Sequence, residues 1–170
     1  SETAQYFDKA QWIAPVPNTD TAMMLGMMHY LYESGKYDKE FIENYTYGFD
    51  KFLPYLLGKT DNTPKNLEWA SKICGIDKDT LKELADTFVS NRTMLMSGWG
   101  MQRAHHGEQP HWAMVTLAAM IGQIGLPGGG FGLSYHYSNG GAPTCKGAVI
   151  GGVNSASVGK FNDKGEFVGT

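Results

Sequence analysis

The fold is decided by one continuous stretch, Thr93-Met94-Leu95-Met96-Ser97-Gly98-Trp99-Gly100-Met101-Gln102-Arg103-Ala104-His105-His106-Gly107. Its first five residues predict a short buried strand, and the rest is too polar and too rich in glycine for regular structure. A helical pattern precedes this stretch, and another runs from Trp112 to Ile124 behind Pro110. Helix, strand, loop and helix together form half of a doubly wound unit. The sequence therefore predicts a three-layer, doubly wound (Rossmann-like) α/β fragment, rich in helix and with a small parallel sheet.

The middle third of the chain is predicted to be helical. Its clearest helix begins at Asp77, because apolar residues recur at helical spacing from Leu81 to Val89. Asp38 is expected to cap an earlier helix. Thr63-Pro64 is expected to open a further helix, which Gly75 closes.

A second polar segment lies near the start of the chain. The two prolines of Trp12–Pro17 favour an extended strand, and Asn18-Thr19-Asp20 offers three candidate N-caps for the helix behind it. That helix contains Ala22–Met28, which is apolar on nearly every face and is therefore expected to be buried. Ligands of doubly wound folds bind beyond the carboxyl ends of strands, where both Asn18–Asp20 and Gly98–Arg103 are expected to lie.

The composition is that of a globular protein and narrows the classes of function. The 170 residues carry a formal charge of -3 and no basic stripe, so nucleic-acid binding has little support. No apolar run is long enough to span a membrane. We expect residues 1–170 to be a single fragment of a larger protein, with residues 138–170 as an irregular tail. Cys74 and Cys145 are far apart in sequence, and the sequence does not decide whether they form a disulfide.

Common catalytic motifs are absent or incomplete. Neither glycine cluster completes a dinucleotide fingerprint, and no phosphate-binding P-loop exists. The histidines around His105 and His106 lack a metal-ligand spacing, so a polar loop lining a cofactor pocket is preferred. Ser97 and Ser134 show no acid–base partner, which argues against triad catalysis. Trp99 and Arg103 suit a flat heterocycle or a pyrophosphate, although a packed indole and a surface guanidinium would explain them equally well.

Four segments together resemble the dimethyl sulfoxide reductase family of molybdenum enzymes. These are Pro17–Met23, Ser97–Arg103, Gly107-Glu108-Gln109 and, above all, Gly122–Tyr137, with its sequence GQIGLPGGGFGLSYHY. The resemblance extends over essentially the whole chain. It implies a bis(molybdopterin guanine dinucleotide)molybdenum cofactor in the parent enzyme. It also implies reduction of trimethylamine N-oxide, or a related N-oxide or S-oxide, by oxygen-atom transfer, in the periplasm and with electrons from a cytochrome.

The same resemblance assigns the cofactor-binding residues. In the family, the segment matching Asn18, Thr19 and Asp20 holds a guanosine end of the cofactor. The loop matching Gly98, Trp99, Gln102 and Arg103 lies against the cofactor.

The serine that ligates molybdenum in these reductases lies N-terminal to everything matched here. No catalytic residue and no metal ligand is therefore assigned to this chain. We expect the fragment to be inactive by itself and to hold no cofactor without the remainder of the parent polypeptide.

Two alternatives of other classes stay open on sequence alone. The chain could be a non-enzymatic nucleotide-binding module. It could also be a purely structural α/β module in which the glycine loops only form turns between elements. Asp20 likewise has two interpretations. Its carboxylate could select guanine by accepting from both N1–H and the N2 amino group, or it could merely cap the helix that follows.

Overall fold

The computed structural model describes residues 10–101, 103–133, 160–161, 164 and 167–169. The chain divides into two compact units, Ser1–Ser134 and Tyr135–Thr170. Cys145, Ser134, His136 and most of the tail predicted at 138–170 lie outside the described residues. That tail therefore stays a prediction.

The first unit is organised around helix α1, Asp20–Glu33. Met27, Met28 and Leu31 are almost completely buried, which confirms the predicted buried helix. The segment before α1 is not a strand, contrary to expectation, and residues 10–16 form no sheet ladder. Instead, the Val16 N–H donates to the Cys74 carbonyl at 2.9 Å, which attaches this segment to the end of another helix. Cys74 is a buried free thiol.

Four further helices follow: α2 (Lys39–Tyr45), α3 (Phe49–Leu56), α4 (Leu67–Cys74) and α5 (Lys78–Ser90). The predicted caps of α2 and α5 are confirmed. The Asp38 side chain accepts from Phe41 N, and the Asp77 side chain accepts from the first-turn N–H groups of α5. Helices α4, α5 and α3 all contact α1.

The start of α4 differs from the prediction. Asn66, and not Thr63, is the N-cap, with its side chain accepting from Trp69 N at 2.9 Å. The helix starts late because the Lys65 N–H donates to the Leu56 carbonyl, which ties the preceding residues to the end of α3. Gly75 closes α4 as predicted, with φ +74.

Helix α3 was missed by the sequence analysis. It begins after Gly48, which has no side chain to act as a cap, and it contains Pro54. Proline inside a helix removes a hydrogen bond and argues against helix in a sequence pattern. Burial of Leu56 against the core favours the helix despite this loss.

The α/β character comes from strand β1 (Met94–Ser97), helix α6 (Gln109–Ile121) and strand β2 (Gly130–Leu133). The two strands pair in parallel, with Leu95 opposite Phe131. Parallel neighbours need a crossover connection, which α6 provides. Helix α6 ends at Ile121, earlier than predicted, because Gly122 adopts a left-handed conformation with φ +74.

The predicted fold class is confirmed as helix-rich α/β with a small parallel sheet. The described part of this unit contains a two-stranded sheet, so the three-layer, doubly wound arrangement stays a prediction. In the second unit, strand β3 (Lys160–Phe161) pairs antiparallel with β4 (Phe167–Gly169). None of the helices among the described residues is both long enough and apolar enough to cross a membrane.

Candidate functional site

A cleft of about 480 Å³ opens where the N-terminus of α1, the end of α3, the loop after β1 and the start of α6 meet. It joins the two polar segments that the sequence analysis singled out. Its walls are made by Asn18, Asp20, Thr21, Tyr55, Met101, Ala104, His105, His106, Gly107, Gln109 and Pro110.

The N-terminus of α1 enters this cleft without a side-chain cap. Thr19 is the N-cap residue, but its hydroxyl donates backwards to the Val16 carbonyl at 2.6 Å and makes no cap hydrogen bond. Asp20 is the first helical residue, and its carboxylate has no hydrogen-bond partner among the described residues. The interpretation of Asp20 as a mere cap is therefore wrong. The first-turn N–H groups of α1 stay available to a ligand, as helix N-termini generally leave them.

Asn18 turns the chain into this helix with a φ of +66. Asparagine tolerates the left-handed region better than most residues because its short polar side chain is small and can form local hydrogen bonds. This conformation lets the chain change direction immediately before the helix, with Asn18 in the cleft wall.

The loop after β1 is more ordered than predicted. It contains a short 3₁₀ turn, Trp99–Met101, followed by a turn in which the Gly107 N–H donates to the Ala104 carbonyl at 3.0 Å. A side chain at Gly107 would lie 2.9 Å from the Met101 carbonyl oxygen, so only glycine fits there. Arg103 and His106 both adopt left-handed backbone conformations. The loop is thus closely folded and places one of its edges in the cleft.

The predicted site residues are only partly brought together. Asn18 and Asp20 line the cleft, and Thr19 lies between them in the chain. Gly98 and Arg103 are exposed and are not among the lining residues. The Trp99 side chain and all of Gln102 lie outside the described residues. The cofactor-binding role of all seven stays a prediction.

His105 and His106 stand in the cleft wall, as expected of a polar loop lining a pocket. Their ring centroids are 3.9 Å apart, and His106 Nδ1 lies 3.7 Å from the Glu108 carboxylate. Hydrogen bonds from its own backbone N–H and from the Gln109 side chain lower the pKa of Glu108, which favours an anion beside this imidazole. Within the described residues, no group of three or more His, Cys, Asp or Glu side chains could hold a metal ion.

Tyr55 was missed by the sequence analysis, although it lines the cleft from the end of α3. No local motif marks it, because its position depends on the helix that was also missed. Tyr55 is 40% exposed, and its ring lies beneath the ammonium group of Lys65, which is 4.3 Å from the ring centroid.

A second pair of residues corrects the sequence analysis. Ser97 does have a possible acid–base partner, since its hydroxyl lies 3.2 Å from His111 Nδ1. No described carboxylate contacts His111, so the pair lacks the third member of a triad. The contact joins the carboxyl end of β1 to the first turn of α6. It therefore fixes the two ends of the loop that lines the cleft.

Comparisons with known proteins identify the family of this chain. A family model described as molybdopterin oxidoreductase matches residues 2–167. The trimethylamine-N-oxide reductase of Haemophilus influenzae is 59% identical over 164 residues, which cover 96% of this chain and 20% of that protein. The dimethyl sulfoxide/trimethylamine N-oxide reductase of Rhodobacter capsulatus is 61% identical over 153 residues, which cover 90% of this chain and 18% of that protein.

More distant relatives give the same pattern. Trimethylamine-N-oxide reductase 1 of Escherichia coli K12 is 48% identical over 158 residues, covering 92% of this chain and 19% of that protein. The solved structure of acetylene hydratase from Pelobacter acetylenicus superposes with a TM-score of 0.60, covering 74% of this chain and 16% of that one. Its sequence identity of 24% supports the fold alone. This chain spans about a fifth of the length of the curated relatives it matches.

Proposed function

Because this chain belongs to the molybdopterin oxidoreductase family, we propose that its cleft holds the guanine nucleotide end of a bis(molybdopterin guanine dinucleotide)molybdenum cofactor. The observation that carries this proposal is that Asn18, Asp20 and the loop after β1 line one cavity. The family resemblance implies contact with the guanosine for the first of these segments, and contact with the cofactor for the part of the loop between Gly98 and Arg103, of which Met101 lines the cavity. The remainder of a longer polypeptide would complete the site.

The described residues fit a guanine nucleotide. A volume of about 480 Å³ lies within the range of small-molecule pockets. Guanine presents N1–H and an exocyclic amino group side by side, and the unpartnered Asp20 carboxylate can accept both, a geometry that adenine cannot supply. The free first-turn N–H groups of α1 can donate to guanine O6 or to a phosphate oxygen.

This chain's part in the reaction is to bind and orient the cofactor, while the molybdenum centre supplies two-electron oxygen-atom transfer when bound. In this proposal Asn18, Thr19 and Asp20 hold the guanosine. Gly98, Trp99, Gln102 and Arg103 lie against the cofactor along the loop. His105 and His106 add a polar wall whose ring nitrogens can form hydrogen bonds with a bound nucleotide.

For the whole protein we propose reduction of trimethylamine N-oxide or of a related N-oxide or S-oxide. The support is the names of the relatives, which are reductases of trimethylamine N-oxide and, in some, of dimethyl sulfoxide. The family resemblance also supports a periplasmic location and electron delivery by a cytochrome.

The substitution Asp20→Asn tests the guanine assignment in the longer polypeptide that carries this chain. It should leave the melting temperature of the cofactor-free polypeptide nearly unchanged, since Asp20 makes no cap hydrogen bond, whereas loss of bound cofactor by itself lowers the melting temperature of the loaded protein. The amount of guanine nucleotide released on acid denaturation should fall several-fold, because an amide replaces one acceptor oxygen by a donor that faces another donor.

Asp77→Asn is the matched control. It also removes a carboxylate from a helix N-terminus, but Asp77 caps α5 and does not line the cleft. Its guanine content should equal that of the wild type. Full guanine content in Asp20→Asn would contradict the proposed role of Asp20.

A further inference from the structure

Lys65 is the only charged residue that is buried among those described, with 2% exposure. Its ammonium group donates to Asp61 Oδ2 at 2.6 Å and to the Thr63 carbonyl at 2.5 Å. The hydrogen bond from Lys65 lowers the pKa of Asp61, which keeps that carboxylate anionic beside the ammonium group. Withdrawing an ammonium ion from water is costly, so its position calls for an explanation beyond packing.

The same ammonium group lies over the ring of Tyr55, 4.3 Å from the ring centroid. The Lys65 N–H also donates to the carbonyl of Leu56, the residue after Tyr55. The chain after α3 thus folds back and places the cation against one side of the aromatic ring. A cation at this distance is attracted to the ring face, more strongly when it is shielded from water. Tyr55 is therefore held in a fixed orientation in the cleft wall.

A second cluster also combines a lysine, an aspartate and a tyrosine, but it lies away from the cleft. Lys36 donates to Asp86 at 2.6 Å and to the Tyr30 hydroxyl at 2.8 Å, with its ammonium group 5.2 Å from the Tyr30 ring centroid. The Lys36 side chain is 42% exposed. None of these three residues lines the cleft. The Lys36 cluster links elements of the fold, which makes it a natural control for Lys65.

We propose that Tyr55 is the stacking surface for the flat ring bound at Asp20, and that Lys65 is a positioning residue that holds Tyr55 in place. This inference rests on the proposed function, in which Asp20 accepts from the edge of that ring. A ring whose edge meets Asp20 can lay its face on an aromatic side chain in the same cleft, as bases commonly do. Guanine and pterin share both the flat fused ring and the amino-oxo edge.

The test is a calorimetric titration of the cofactor-free longer polypeptide, with GMP and, separately, with neopterin. Wild type is compared with Tyr55→Leu, Tyr55→Phe, Lys65→Met, Lys65→Arg, Asp20→Asn and Lys36→Met, and each protein's melting temperature is measured. Tyr55→Leu and Lys65→Met should weaken binding by about 5- to 100-fold, in the range of base–aromatic stacking. Tyr55→Phe keeps the ring and Lys65→Arg keeps the cation, so both should bind nearly as wild type does. Lys36→Met should bind unchanged.

Tyr55→Leu carries the decisive result, because Tyr55 is partly exposed and its replacement is tolerated more easily than that of buried Lys65. Unchanged affinity in Tyr55→Leu, with Asp20→Asn still weakened, would overturn the stacking role and leave the proposed function standing. A lower melting temperature in Lys65→Met at wild-type affinity would reduce Lys65 to a structural role. Binding of neopterin in place of GMP, weakened in Tyr55→Leu, would support the stacking surface but overturn the guanine assignment. A wild-type protein that binds neither compound would overturn both.

Discussion

The helices of the first unit begin in two different ways. Helices α2, α4 and α5 are each capped by a side chain that accepts from a first-turn N–H, namely Asp38, Asn66 and Asp77. Helices α1 and α6, which open onto the cleft, have no side-chain cap at Thr19 or Glu108. Helix α3 also lacks one, because it begins after Gly48.

The difference follows from what surrounds each helix end. A helix that ends at the surface gains stability from a cap, and a cap is worth about 0.5–2 kcal/mol. A helix end that faces a binding cleft would lose its free donors if its own side chain occupied them. Stability is thus given up at α1, where the donors are available to a ligand. Left-handed backbone at Asn18 and His106 adds to this local cost.

The largest effect is expected when the 170-residue chain, with its uncapped helix ends, is produced without the rest of the longer polypeptide. The 170-residue chain by itself should contain no molybdenum and show no turnover, because the uncapped ends of α1 and α6 supply only one part of the cofactor site. Metal analysis and a reduced-viologen assay with trimethylamine N-oxide measure both. Turnover above the blank would contradict the prediction. A chain that retains a purine dinucleotide without any turnover would favour a nucleotide-binding module.

A smaller effect is expected when a capped and an uncapped end are altered in the same way. Asn66→Ala should lower the free energy of unfolding by about 1 kcal/mol, because it leaves the Trp69 N–H without its acceptor. Thr19→Ala should cost less, since it removes an exposed hydrogen bond to the Val16 carbonyl and no cap. Chemical denaturation of both variants measures the difference. Equal losses would contradict the expected difference between the capped end of α4 and the uncapped end of α1.

The smallest effect is expected in how the melting temperature falls at acidic pH. Hydrogen bonds from the Thr80 hydroxyl and backbone hold the pKa of Asp77 below its ordinary value of 3.8. A lowered carboxyl pKa contributes stability above pH 3.8 that is lost as pH falls through the still lower folded-state value. Asp77→Asn keeps a cap that does not titrate, so its melting temperature should fall less than that of the wild type between pH 5 and pH 2. Parallel pH dependence in both proteins would contradict this account.

Local chemistry explains which parts of the fold could be predicted. Asp38 and Asp77 were identified because each cap and its N–H donors lie within three residues of one another. Thr63 was wrongly identified because the start of α4 depends on Lys65, whose backbone is bound to the end of another helix. Strand β2 was missed because glycines alternate in Gly130–Leu133, and glycine weakens any strand pattern.

The candidate site was predictable to the extent that its residues are contiguous in the chain. Asn18 and Asp20 form a polar run before a buried helix, and His105 and His106 belong to one polar loop, so the sequence indicates both segments. Ser97 and His111 are 14 residues apart and meet only through the β1–α6 crossover. Tyr55 comes from another helix, α3, so nothing near it in sequence indicates its role.

One contact at the far end of α6 restricts how this chain can change over evolutionary time. The left-handed Gly122 lies so close to Asp38 that any side chain at position 122 would collide with that carboxylate. Asp38 is also the cap of α2, and its own N–H donates to the Met120 carbonyl. A substitution at the end of one helix would therefore uncap another. Position 122 is thus restricted twice, by its left-handed backbone and by the adjacent Asp38, and we expect it to stay glycine among homologues.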